Sequence, residues 1–163
     1  MNVDLKKLYA LQADLDAEIA ANHNVSYEST HSRRLLALIV ELGELANETR
    51  CFKYWSNKGP SPKEVVMDEY ADGLHFLLSL GIPLEVKKFE YNLVKNKEDL
   101  TNQFHHMYAL ANALNDHYDE AHYIEAMQYY LNLALSIDMS GNDIIDSYKK
   151  KLSVNHKRQE TNY

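Results

Sequence analysis

Apolar residues recur along most of this chain at three- and four-residue intervals, the spacing that lays them along one side of a helix. Over residues 3–21 the repeat runs through Leu5, Leu8, Leu11, Leu15 and Ile19. A polar stretch at 22–31 separates it from a second periodic segment at about 32–52, which the breaker Asn57-Lys58-Gly59-Pro60 closes. Pro62 suits the first turn of a third helix. That helix runs to about residue 80 and stops at Gly81-Ile82-Pro83, a glycine followed by a proline. Further periodic stretches cover about 84–97, 100–115, 119–137 and 142–157. No segment alternates with period two for long enough to predict a strand. The pattern predicts an all-α helical bundle of five to seven helices.

At 163 residues the chain is expected to form one domain, 1–163, with a substantial core. Apolar residues make up 45% and glycine and proline are scarce, so neither disorder nor a fibrous repeat fits. A net charge of −7 argues against a nucleic-acid binder driven by its overall field. No apolar run approaches the ~20 residues of a membrane span. The first residues lack a signal-peptide layout, so a cytoplasmic location is expected. The single Cys51 excludes a disulfide framework and a thiolate metal site.

Two carboxylate pairs then change the picture. Glu41-Leu42-Gly43-Glu44 lies in the second predicted helix and Glu69-Tyr70-Ala71-Asp72 in the third, each pair at i, i+3 and so on one helix face. At about 100° per residue Glu41 falls beside Leu38, Leu42 and Leu45, and Glu69 among Val65, Val66, Phe76 and Leu80. Acidic residues on a solvated face would sit opposite the apolar stripe; these sit on or beside it. Converging carboxylates need raised pKa values or cations. An all-oxygen ligand set points to Mg²⁺ or Mn²⁺ rather than zinc. Glu48, one turn beyond Glu44, is a further candidate ligand or general base. A di-iron site is the competing reading, because Asp72-Gly73-Leu74-His75 has the carboxylate-x-x-His spacing. A second such pair is wanted, and no other helix supplies its mate: Asp119-Glu120-Ala121-His122 has the spacing but opens its helix in a polar stretch.

Near the end, residues 146–160 carry five Lys and Arg against two acids. Such a run is commonly a favourable helix C-terminus or a solvated tail. Beside a metal-carboxylate site the same cations suit the outer oxygens of a polyphosphate.

The stretch Glu41-Leu-Gly-Glu-Leu-Ala-Asn-Glu-Thr-Arg-Cys-Phe-Lys-Tyr-Trp55, the stretch Asp68-Glu-Tyr-Ala-Asp-Gly-Leu-His-Phe-Leu-Leu-Ser-Leu80 and residues 151–158 resemble the dimeric, all-α dUTP pyrophosphatases, relatives of the MazG-like NTP pyrophosphatases. The resemblance implies an all-α homodimer that binds Mg²⁺, with Mn²⁺ as a substitute, through Glu41, Glu44, Glu69 and Asp72. It implies hydrolysis of dUTP, and of dUDP, to dUMP. By the same resemblance Gln12 and Asp16 face the uracil, although the family more commonly has Asn at the second position. His75, Phe76 and Asn155 look like nucleotide contacts. Lys53, Lys151, Arg158 and Tyr163 look like the phosphate-binding set, with the basic segment at about 146–163 closing over the site. Trp55 resembles the aromatic at its mouth. Leu152 departs from the family, which often carries Asn after the lysine.

Glu44 is the expected carboxylate that orients or deprotonates the attacking water, with Glu41 beside it. A pyrophosphatase of other base preference, for dCTP or for a broad set of triphosphates, would use the same carboxylates. A helical binding protein without catalysis would merely present their charge. No spacing in the Tyr- and His-rich helices at 100–137 specifies chemistry.

Overall fold

A computed structural model of the chain describes residues 1–161. Among them are six α-helices: α1 (Lys6–His23), α2 (Tyr27–Thr49), α3 (Lys63–Gly81), α4 (Leu100–Asp116), α5 (Glu120–Ser136) and α6 (Gly141–Glu160). They form an all-α bundle, as the periodicity predicts. Helix α3 lies at its centre, packed against α2, α6, α1 and α5. Among the described residues no helix is long and apolar enough to cross a membrane.

Several boundaries differ from the sequence expectation, each for a local reason. The second helix starts five residues early because Ser26 caps it: its side chain accepts from the Ser29 N–H while the Ser29 hydroxyl accepts from the Ser26 N–H. It ends at Thr49, not 52, where Arg50 turns into the left-handed region. Gly81 is inside α3 with an ordinary helical φ, and no described glycine has positive φ. Its lack of a side chain serves packing instead, because a Cβ there would run into the Tyr123 ring.

The predicted helix at 84–97 does not form, and the expectation of no strand is corrected. A 3-10 turn (Ile82–Leu84) leads into extended chain and a short strand β2 (Glu90–Asn92). It pairs antiparallel with β1 (Asn2–Asp4), Val3 opposite Tyr91. The alternation is there, with Val3 and Leu5 buried on one segment and Tyr91 and Leu93 on the other. Each run is too short to stand out against a helical period, and its partner lies almost ninety residues away in sequence. Val3 thereby belongs to β1 rather than to the first helix.

Two tyrosines fasten α3 to α5. Tyr70 and Tyr130 stack with ring centroids 4.4 Å apart. Each hydroxyl donates to the other residue's carbonyl, at 2.9 and 2.6 Å. Both hydroxyls are buried but satisfied, which is the condition for keeping a phenol in a core. Gly73 makes room for the Tyr130 hydroxyl, where a Cβ would collide with it. Tyr70 and Gly73 adjoin Glu69 and Asp72 in the sequence of α3.

Candidate active site

Helices α2 and α3 bring three of the four predicted metal ligands together. Glu41, Glu69 and Asp72 each offer an oxygen, and these oxygens all lie within 4.8 Å of one another. All three residues are half-buried, as their places beside the apolar stripe imply. Glu44 is exposed and stands outside this tightest group, but its carboxylate comes within hydrogen-bonding range of both Glu41 and Glu69. An open cleft of about 540 Å³ lies beside the cluster, lined by Val40, Gly43, Glu44, Asn47, Glu48 and Glu69.

The cluster is electrostatically unbalanced. Burial, then the neighbouring Asp72 and Glu44, push the Glu41 carboxyl up to about 8. The same causes, burial first, raise Glu69 to about 7. One oxygen of each, Oε2, is buried without a hydrogen-bond partner. Burial also raises Asp72, opposed by the charge of Lys151 and, more weakly, by that of Arg158. A buried acceptor left without a partner is costly and rare. Orphaned oxygens converging from two helices form a donor set that fits a hard divalent cation.

Lys151 is 5% exposed and lies inside the site rather than over its mouth. Its Nζ is 2.9 Å from Asp68 Oδ2 and 3.1 and 3.3 Å from the two Asp72 oxygens. Burial would lower its pKa, but the two carboxylates outweigh that and raise it. Sequence reasoning missed Asp68, although its position four residues before Asp72 puts it on the same face of α3. Glu48 lines the cleft and accepts from the Ser61 hydroxyl, which ties the segment after α2 back to that helix.

The residues expected at the base lie deeper. Gln12 is 3% exposed: its amide NH₂ donates to Asp16 Oδ1 at 2.9 Å, and its Oε1 accepts from the Tyr148 hydroxyl at 2.9 Å. Asp16 Oδ2 accepts from Tyr27 at 2.9 Å and from Ser79 at 2.8 Å. Burial raises its pKa, against these bonds and the charge of Arg34. The His75 ring stacks on Tyr148 at 4.1 Å, with Nδ1 2.7 Å from Gln12 Oε1. Burial lowers its pKa to about 4. Its bonding faces α1 and α6 rather than the carboxylates, which removes the basis of the di-iron reading; Asp119 and His122 pair at the exposed cap of α5. Tyr27, Ser79, Arg34 and Tyr148 carried no signal in the sequence that marked them as partners of this site.

Phe76 packs against the core at half burial. Asn155 and Arg158 lie half-buried on the last turns of α6. Leu152 is buried at the edge of the core. Lys53 lies 5.9 Å from the Phe52 ring in the segment after α2. In the same segment Trp55 is 64% and Tyr54 93% exposed. Tyr163 lies outside the described residues.

The sequence model of the dUTPase family matches residues 4–163, and the chain belongs to that family, whose members are dUTP diphosphatases that generally use a divalent metal. A search of individual curated proteins finds no match.

Proposed function

We propose that this member of the dUTPase family hydrolyses dUTP, and dUDP, in a Mg²⁺-dependent reaction, with residues 1–163 acting as one nucleotide-cleaving unit. The observation that carries the reading is the convergence of Glu41, Glu69 and Asp72 within 4.8 Å, two of them with an orphaned buried oxygen. These three, with Glu44 at the open side, would hold Mg²⁺, or Mn²⁺ in its place. The chemistry supplied by a cation held there would be charge neutralisation at the phosphates and a lowered pKa for a bound water, which makes hydroxide accessible at neutral pH.

Glu44 is exposed at the cleft and therefore placed to orient that water and take its proton, with Glu41 behind it. Attack at the α-phosphorus forms a new P–O bond and breaks the α–β anhydride, so dUMP and pyrophosphate leave from dUTP and phosphate leaves from dUDP. Lys151 already spans Asp68 and Asp72, and it exchanges part of that contact for a phosphate oxygen as the site's charge is neutralised. Arg158, with Lys53 and Tyr163, serves the outer phosphates. Gln12, His75, Phe76 and Asn155 border the base and sugar.

The protein acts as a homodimer in this reading. Leu36 and Val40 leave an apolar stripe exposed on α2, and Phe52, Tyr54 and Trp55 extend it. Val40 also lines the cleft, so a second copy seated on α2 would wall the site.

The test is pyrophosphate release from dUTP with and without Mg²⁺, run beside dCTP, dTTP and UTP. Mg²⁺-dependent turnover confined to dUTP is expected. Equal turnover of several bases would keep the metal chemistry and remove the uracil assignment. No turnover at any metal concentration would overturn the reading.

A further inference from the structure

Between α1, α3 and α6 a chain of buried hydrogen bonds has a direction, set at one end by Asp16. An ionised carboxylate only accepts hydrogen bonds. Its Oδ2 takes the Tyr27 and Ser79 hydroxyls, and its Oδ1 takes Gln12 Nε2. The Arg34 guanidinium, bonded to the carbonyls of Tyr27 at 2.8 Å and Ser79 at 3.0 Å, adds a nearby positive charge. The Gln12 amide is therefore held with its NH₂ toward Asp16 and its Oε1 away from it.

That Oε1 faces Tyr148 and His75. The Tyr148 hydroxyl has one proton and spends it on Oε1 at 2.9 Å, its other acceptor, the Leu8 carbonyl, being at 3.5 Å. His75 Nδ1 stands 2.7 Å from the same oxygen, so the bond requires the ring proton on Nδ1. The other ring nitrogen, Nε2, lies 3.3 Å from the Tyr148 carbonyl, beyond the usual bond length. The ring is 4% exposed. We propose that Asp16 is a positioning residue: by orienting the Gln12 amide it fixes His75 as its Nδ1–H tautomer. This inference stands on the bonding of residues 12, 16, 75 and 148 and does not depend on the metal site or on the substrate.

The network has a complete alternative that Asp16 excludes. With asparagine at this position, the arrangement that keeps the Tyr27 and Ser79 hydroxyls donating puts the amide oxygen in the Oδ2 place and turns its NH₂ toward Gln12. Gln12 then turns its Oε1 to it and its own NH₂ to His75 Nδ1. The ring proton moves to Nε2, where the Tyr148 carbonyl accepts it, and the Tyr148 hydroxyl swings to Leu8. The Gln12 amide flips in place, the ring proton changes nitrogen, and small shifts close the 3.3 Å Nε2–carbonyl and 3.5 Å hydroxyl–Leu8 separations.

Long-range ¹H–¹⁵N correlation spectra of the uniformly labelled full chain at neutral pH test this, with His75 assigned by the loss of its signals in His75→Gln. In the wild type Nδ1 is expected to be the protonated, pyrrole-type nitrogen and Nε2 the bare one. In Asp16→Asn the two nitrogens exchange these characters. Gln12→Met, which removes the intermediary acceptor and leaves Asp16 in place, should produce the same exchange and decides the matter should Asp16→Asn not fold. A purely structural role for Asp16 would lower stability without moving the proton. A wild-type ring protonated on Nε2 overturns the proposal, as does a tautomer that stays on Nδ1 in folded Asp16→Asn or, should that variant not fold, in Gln12→Met.

Discussion

One face of α3 carries two polar regions built on opposite terms. Toward its N-terminal half, Glu69 and Asp72 meet Glu41 and Glu44 with more negative charge than Lys151 can neutralise, and buried oxygens go without partners. Two turns on, His75 and Ser79 meet Gln12, Asp16, Tyr27 and Tyr148, where each side chain finds a matching donor or acceptor. The second region has its hydrogen bonds completed within the chain. The first is left incomplete by the chain, and in the proposed reading a cation completes it. A buried polar group is stable when bonded and costly when not, so an unsatisfied cluster persists where a ligand supplies what the chain omits.

The largest effect should come from breaking the incomplete side. Glu69→Gln keeps the shape and removes one charge of the cluster, and turnover of dUTP should fall by about 10³-fold or more, the order lost when a contact to developing charge is deleted. Its metal-free form should melt no lower than the wild type, because the substitution relieves repulsion. Pyrophosphate release and thermal melts in chelator check both, and a variant within about tenfold of wild-type turnover would remove Glu69 from the site.

The complete side should respond in the opposite sense. Asp16→Ala strands the donors of Gln12, Tyr27 and Ser79 together, and stability should drop by about 2–4 kcal/mol, since each buried donor left unmade costs roughly 1–3. Urea titration of the metal-free protein measures it; a loss below about 1 kcal/mol would mean that water replaces the carboxylate at little cost.

A further difference distinguishes the two regions by pH. In chelator, Glu41 titrates near 8 and Glu69 near 7 in the folded chain, against 4.5 when unfolded. Between those values the folded state binds more protons than the unfolded one, so stability falls as pH rises from about 4.5 to about 8 and levels off above. Saturating Mg²⁺ takes the place of those protons, and the decline should disappear. Melting temperatures across this window, with chelator and with Mg²⁺, read the difference directly. A metal-free profile that rises with pH would show that the cluster is better compensated than its geometry indicates.

Much of the incomplete side was legible in the sequence because it is made of local spacings. Glu41 and Glu44, and Glu69 and Asp72, each share a helix face by their i, i+3 interval, and the places of Glu41 beside Leu42 and of Glu69 near Phe76 already imply partial burial. Asp68 could have been found by the same rule. The complete side was not legible in this way. Gln12 and His75, or Asp16 and Ser79, are separated by 63 residues, and nothing along the chain encodes their meeting. Asp16 looked like a base contact, yet in the fold each of its carboxylate oxygens is engaged by internal donors. Lys151 looked like an arm reaching over phosphates, whereas the packing of α6 on α3 buries it between two carboxylates.

The sequence by itself therefore determined the six helices found among the described residues, though not the absence of a seventh at 84–97, and the residues of the acidic cluster, because helix formation and facial patterning are decided within a few turns. The tertiary structure alone decided which polar groups are satisfied. It placed Val3 against Tyr91 in a strand pair, set Gly73 beneath Tyr130, and turned Asp16 inward. These depend on which helix surfaces meet, and hydrogen-bond partners chosen across the bundle are set by the joint packing of distant segments rather than by any one of them.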